Sequence, residues 1–153
     1  MSDQGRILII DDSETLLARA RSRLTLEGFE VMTTTQATGN ARHLRSVDLV
    51  VIDFHMPGID GGTVAESLRQ AMTEKSNALL YLYTSDEKVA AQYAGLGFDG
   101  AFSNKGDLEA LANQVRAAFR LIRTRKLKDR DKAPPSGPPS SYRDKPPSSR
   151  GGR

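Results

Sequence analysis

Four short strand-like runs in this sequence lead into side chains able to do ionic chemistry. Ile7-Leu8-Ile9-Ile10 runs into Asp11-Asp12, Leu49-Val50-Val51-Ile52 into Asp53, and Leu79 to Tyr83 into Thr84-Ser85-Asp86. The fourth, Ala101-Phe102-Ser103, is followed by Asn104-Lys105-Gly106. In a parallel sheet the C-terminal ends of such strands share one edge, where open α/β sheets place their ligands. Three carboxylates, a hydroxyl and an ammonium would then meet in one crevice. Close carboxylates raise one another's pKa unless a cation intervenes. A hard divalent ion with oxygen ligands is the natural remedy, and Mg²⁺ is the expected one. With a phosphoryl group present the roles divide. Asp53, leaving its strand for a Pro57-Gly58 turn, is a candidate nucleophile that becomes an aspartyl phosphate. Mg²⁺ held by Asp11, Asp12 and Asp53 would screen the incoming charge. Lys105 would pair with phosphoryl oxygens as a mobile point charge, and Thr84 would donate a hydrogen bond to one of them. Taken singly, each residue has a plainer role: a strand-end Asp caps a helix, a Lys is solvated, and Thr84 caps the next helix. The plainer roles do not explain why all of them fall at one edge.

The elements that must position these groups follow from the apolar pattern. Ile7–Ile10 and Leu49–Ile52 are unbroken apolar runs, as expected for central strands buried on both faces. Ser13 offers an N-cap for a helix to about Glu27, with Leu16, Leu17, Ala20 and Leu24 at helical spacing and Gly28 as its stop. Glu30–Thr33 alternates and reads as a strand nearer the edge. A weak helix is expected from Gly39 to Ser46, and a firmer one from Gly61 to Met72, with Val64, Leu68, Ala71 and Met72 on one stripe. A short helix is expected over 87–95. The last opens at Asp107, runs to about 126, and buries Leu108, Leu111, Val115, Phe119 and Ile122. Five strands alternating with five helices predict a parallel α/β sheet covered on both faces. The strand order 2-1-3-4-5 is the flavodoxin-like solution.

Charge is divided along the chain. Residues 124–153 carry nine Lys/Arg against three Asp, leaving thirteen basic and sixteen acidic residues in 1–123. The net charge of +3 therefore belongs to the tail, and the remainder is mildly acidic. Six of the seven prolines lie at or after Pro134, so a basic Pro/Ser/Gly-rich disordered tail is expected over 128–153. With no cysteine, disulfides and Cys-ligated metals are excluded. The absence of a signal-peptide apolar region or a membrane-length run leads us to expect a soluble, cytoplasmic protein.

The motif set resembles the response-regulator receiver domain of two-component signalling, over about residues 5–124. Asp53-x-x-Met56-Pro57-x-x-Asp60-Gly61 matches that family's phosphoacceptor signature, and Asp11-Asp12, Thr84 and Lys105 stand where its other motifs stand. The resemblance implies a (βα)5 receiver fold and a sensor histidine kinase that donates a phosphoryl group to Asp53. It also implies that the His55 backbone carbonyl joins Asp11, Asp12 and Asp53 around Mg²⁺. Thr84 and Phe102 would act as switch residues, a two-state loop biased by the new charge. For Phe102, core packing on a short strand is the competing explanation; for the His55 side chain, it is plain solvation. The resemblance departs at one position, since the family usually has proline, often in a cis bond, after its lysine and this chain has Gly106. Glycine permits many backbone conformations and locks none.

The residues after the last helix are too few to fold alone. The expected protein is a single-domain phosphoacceptor, not an enzyme in its own right, with only self-directed phosphoryl gain and loss. Its output surface would be helix 87–95, strand 101–103 and helix 107–126, read by a downstream protein, as a monomer or a phosphorylation-dependent dimer. A phosphorylation-independent scaffold that keeps the receiver shell is the alternative, motivated by Gly106. The tail's charge could attract nucleic acid or an acidic surface weakly, but a solubilising extension is the favoured expectation.

Overall fold

The computed structural model describes residues 4–73 and 76–132, with side chains through Lys128. Seven strands and four α-helices are present among the described residues: β1 Gly5–Ile10, α1 Glu14–Leu26, β2 Phe29–Thr34, β3 Leu49–Asp53, β4 His55–Met56, β5 Ile59–Asp60, α2 Gly61–Ala71, β6 Leu79–Tyr83, α3 Glu87–Ala91, β7 Gly100–Phe102 and α4 Leu108–Lys132. The large sheet is parallel throughout, in the order β2-β1-β3-β6-β7. Counting only its own five strands along the chain, this is the expected 2-1-3-4-5. The other two strands form a small antiparallel ladder, His55 opposite Asp60 and Met56 opposite Ile59, closed by the Pro57-Gly58 turn.

Burial follows the apolar runs. Ile7–Ile10 and Leu49–Ile52 are shielded on both faces, as strands between two layers require. On one face Leu8, Ile10, Val50, Ile52, Leu80 and Leu82 form a cluster with Val64, Ala65 and Leu68 of α2. Alternation puts Ile7, Ile9 and Val51 on the opposite face, where the buried stripes of α1 and of α4 up to Phe119 complete the core. Phe119 meets the Phe29 ring at 4.9 Å. Arg23 joins α1 to α4 through Glu109, at 2.7 and 3.1 Å, and also holds Glu27 at 2.7 Å. Arg116 closes the network by bonding Glu27.

Several boundaries differ from expectation. The helix expected over Gly39–Ser46 is only a 3-10 turn, Ala41–His43. Gly39 adopts φ 79°, and the buried Asn40 donates its side-chain amide to the Gln36 carbonyl, which holds the chain in a loop. The helix expected over 87–95 stops at Ala91, and turns through Gly97 (φ 95°) carry the chain to β7. That strand is Gly100–Phe102, so Ser103 lies beyond it. Leu108 is half-buried instead of buried. The last helix continues past 126 to Lys132, because Arg, Lys and Leu favour helix and proline first intervenes at Pro134. The expected disordered tail therefore begins at 128 with residues that are helical, and from Ala133 on it lies outside the described residues. The described residues divide into two units, one ending at Phe119 and the other beginning at Arg120. Among the described residues no helix is long and apolar enough to cross a membrane.

Candidate functional site

Register brings the acids together. Ile10 lies opposite Ile52, and Asp53 opposite Tyr83, so Asp11, Asp53 and Thr84 leave adjacent strands at one edge. Asp11 is 1% exposed, Asp53 2% and Thr84 2%, whereas Asp12 is open to solvent. Each buried carboxylate divides its two oxygens between structure and site. Asp11 Oδ1 accepts the Ser13 amide at 2.9 Å, and Ser13 in turn caps α1 by accepting from Leu16 N–H. Asp11 thus braces the cap residue and does not cap the helix itself, while Oδ2 meets the Lys105 ammonium at 2.9 Å. Asp53 Oδ1 takes Lys105 Nζ at 2.6 Å and the His55 amide at 3.2 Å, leaving Asp53 Oδ2 buried with no donor.

Electrostatics accord with that geometry. Desolvation pushes the Asp53 carboxyl above its ordinary value, with Asp11 adding repulsion, against the opposing pull of Lys105 and the His55 amide. Burial works against the Lys105 ammonium, but its hydrogen bonds and charge contacts to Asp53 and Asp11 outweigh that cost and raise its pKa. Lys105 therefore stays charged at neutral pH and partly neutralises two acids that would otherwise repel.

The neighbouring backbone is tightly fitted. Asp60 caps α2 by accepting from Thr63 N–H at 2.8 Å, and Gly61 N–H donates to the Phe54 carbonyl at 2.8 Å. A Cβ on Gly61 would come within 2.7 Å of the Asp53 carbonyl oxygen and 2.8 Å of Phe54 Cα. Glycine is needed there because α2 starts directly against the backbone of Asp53. An open cleft of about 800 Å³ beside the acids is lined by Asp12, Phe54, His55, Met56, Pro57 and Thr63, among others.

Thr84 does not cap α3. Its hydroxyl oxygen accepts the Asp86 amide at 3.0 Å, and Asp86 is the cap, accepting from Lys88 and Val89. Phe102 is buried and rests on Tyr81 with ring centroids 4.7 Å apart, while its carbonyl accepts Thr84 N–H. The His55 side chain is exposed, and its ring stands edge-on to Phe54. Sequence reasoning missed Tyr83. It is 1% exposed, its hydroxyl accepts Gly106 N–H at 3.1 Å, and its ring centroid lies 5.9 Å from Lys105 Nζ. Its place at a strand end beside Thr84 was the available signal.

Asp11, Asp12 and Asp53 each offer an oxygen, and these atoms lie within 4.8 Å of one another. All three donors are carboxylate oxygens, two of them on buried acids and one open to solvent, so the set fits a hard, oxygen-seeking divalent cation.

A five-stranded parallel sheet with an acid cluster and a lysine at its C-terminal edge defines a receiver-type α/β domain. The chain belongs to the response regulator receiver domain family, whose model matches residues 7–116. It is 36% identical over 96 residues to the transcriptional regulatory protein PrrA of Mycobacterium tuberculosis, a match covering 59% of this chain and 40% of that one. It is 28% identical over 118 residues to the CAI-1 autoinducer sensor kinase/phosphatase CqsS of Vibrio cholerae, covering 74% of this chain and 17% of that protein. The chain thus spans well under two thirds of the length of these curated relatives. Among solved structures, the signal receiver domain of an HD domain-containing protein from Pseudomonas fluorescens superposes with a TM-score of 0.66 at 24% identity, covering 84% of this chain and 96% of that one. The chemotaxis response regulator CheY4 of Vibrio cholerae gives 0.63 at 19% identity, covering 74% and 97%. Both structural likenesses concern the fold.

Proposed function

We propose that Asp53 accepts a phosphoryl group from a phosphohistidine of a sensor kinase, and that the resulting charge resets a protein-binding surface. The observation that supports this most directly is the division of labour on Asp53: Oδ1 is held by Lys105 and the His55 amide, and Oδ2 is buried without a donor. Oδ2 is then the oxygen free to attack phosphorus. A P–O bond forms, the P–N bond to the imidazole breaks, and the imidazole nitrogen takes up the bonding pair. Asp11, Asp12 and Asp53, with the His55 carbonyl, would hold Mg²⁺, which supplies charge screening for the transferring group. Lys105 follows the phosphoryl oxygens from its place on Asp53 Oδ1. Thr84, whose oxygen already accepts from Asp86, retains its own proton to donate.

The surface that responds would be α3, β7 and α4, with Thr84 and Phe102 as the link, since the two are joined by a backbone hydrogen bond. A cleft of about 470 Å³ lined by Thr84, Glu87, Ala90, Tyr93, Ala101 and others lies there. Incubation with acetyl phosphate and Mg²⁺ tests the proposal. Wild type should gain one phosphoryl mass and Asp53→Asn none. Labelling that persists in Asp53→Asn, or no labelling of wild type by acetyl phosphate or any kinase, would leave the phosphorylation-independent scaffold as the better description.

A further inference from the structure

Lys105 sits on a loop with little to hold it. Asn104 and Gly106 both have left-handed backbone, φ 56° and 99°, and a turn bond from Asp107 N–H to the Asn104 carbonyl spans them. Gly106 itself is exposed, and a Cβ there would meet nothing within 4 Å, so side-chain packing at this position does not fix the loop. Its amide nevertheless has a buried partner in the Tyr83 hydroxyl. Tyr83 belongs to the sheet, paired with Asp53 on one side and Phe102 on the other. The loop is thereby fastened to the strand that lies beside the acid which Lys105 must reach.

We propose that Tyr83 is a positioning residue for Lys105: the bond from Gly106 N–H to the Tyr83 hydroxyl, with the Tyr83 ring beneath the ammonium, fixes the loop that delivers Lys105 to Asp11 and Asp53. Gly106 suits this arrangement for two reasons. A proline at 106 would have no N–H to donate, and its φ near about −65° could not match the left-handed conformation found here. The hydroxyl is well suited to a fixed role, because burial raises the Tyr83 pKa and keeps the phenol protonated. The ring, 5.9 Å from Nζ, is at the outer range of a cation–π contact, so the hydroxyl bond carries more of the positioning than the ring. The consequence for phosphoryl uptake rests on the function proposed above; the fastening of the loop does not.

Tyr83→Phe is the informative variant, since it keeps the ring and removes only the hydroxyl. In the unphosphorylated protein, Gly106 amide exchange should speed up by about fivefold to tenfold, the factor expected for one lost hydrogen bond. The Lys105 ammonium signal in ¹⁵N-detected spectra should broaden, while far-ultraviolet circular dichroism stays unchanged. Labelling by acetyl phosphate should slow by a similar factor in the wild-type background and not at all in a Lys105→Ala background. Unchanged Gly106 exchange and an unchanged Lys105 signal would overturn the positioning role, as would equal slowing in both backgrounds. If wild type takes up no phosphoryl group while Tyr83→Phe still frees Gly106, the phosphoacceptor function fails and the fastening stands.

Discussion

Replacing Lys105 with methionine leaves two buried carboxylates without their shared cation. Nζ lies 2.9 Å from Asp11 and 2.6 Å from Asp53. At an effective dielectric of about 20 each gross attraction is about 6 kcal/mol, offset in large part by the desolvation of all three charges. Removing one partner of a buried pair costs about 3–5 kcal/mol. The Lys105 side chain keeps 23% exposure, so water can enter the gap it leaves. We therefore take the lower end, about 3 kcal/mol, which is a large share of the roughly 5–15 kcal/mol typical of a domain. The loss should depend on pH. Without Lys105, Asp53 loses its main downward influence, and its carboxyl rises further above the ordinary carboxylate range. A folded-state pKa above the unfolded one means that the folded form binds the proton more tightly. Its penalty is therefore full at neutral pH and relieved as pH falls through the raised value. Urea unfolding with magnesium chelated should show the gap to wild type narrowing as pH falls from neutral through the raised Asp53 value. With a slope of about 2 kcal/mol per molar, the midpoint at neutral pH should fall by about 1.5 M. A gap below about 0.5 kcal/mol, the scale of an ordinary surface change, or one independent of pH, would refute the reasoning.

Three further outcomes are expected. Gly61→Ala must displace α2 from the Asp53 carbonyl, costing about 1–3 kcal/mol by overpacking; chemical unfolding checks the loss and acetyl phosphate labelling checks the displaced acid. Asp12→Ala removes an exposed acid of the cluster proposed to hold Mg²⁺ and no internal support, so it should abolish most Mg²⁺-dependent stabilisation in a thermal shift assay while leaving the magnesium-free melting temperature within a degree or two. Hydrogen bonds from Arg23 and Arg116 lower the Glu27 carboxyl, and Arg23 lowers Glu109. These two acids add stability above the usual carboxylate range that is lost as pH falls through their depressed values. Arg23→Ala should therefore flatten the acid limb of a stability–pH curve, and an unchanged limb would show the network to be inert.

The strands and the acids were legible because each is a local pattern: an apolar run of strand length ending in Asp, Thr or, past a turn, Lys. Parallel alternation then put those ends on one edge, which is where they are. Less legible were the stretches whose structure is set by single backbone angles or distant bonds. Gly39 and Asn40 convert an expected helix into a loop, and at Gln92 the helix after β6 gives way to tighter turns, with Gln92 N–H on the Val89 carbonyl and Tyr93 N–H on the Ala90 carbonyl. Composition drew the end of the last helix too early, because residues 128–132 look like tail and continue a helix already begun. Tyr83 was read as one more strand residue, since its bond to Gly106 spans a separation that no local pattern reports. Conversely, Gly106 looked like a weakness for want of a proline, when it contributes a donor that proline lacks.

The turn that presents Asp53 is closed entirely by near neighbours in the chain: His55 on Asp53, Met56 opposite Ile59, and Gly61 on Phe54. Lys105, by contrast, comes from the far side of two further strands. Closing short loops costs less chain entropy than closing long ones, so the presenting turn depends little on the rest of the sheet. The place of the cation depends on every strand between Asp53 and Lys105 being set. A change that loosened β6 or β7 would leave the acid presented and its counter-charge misplaced.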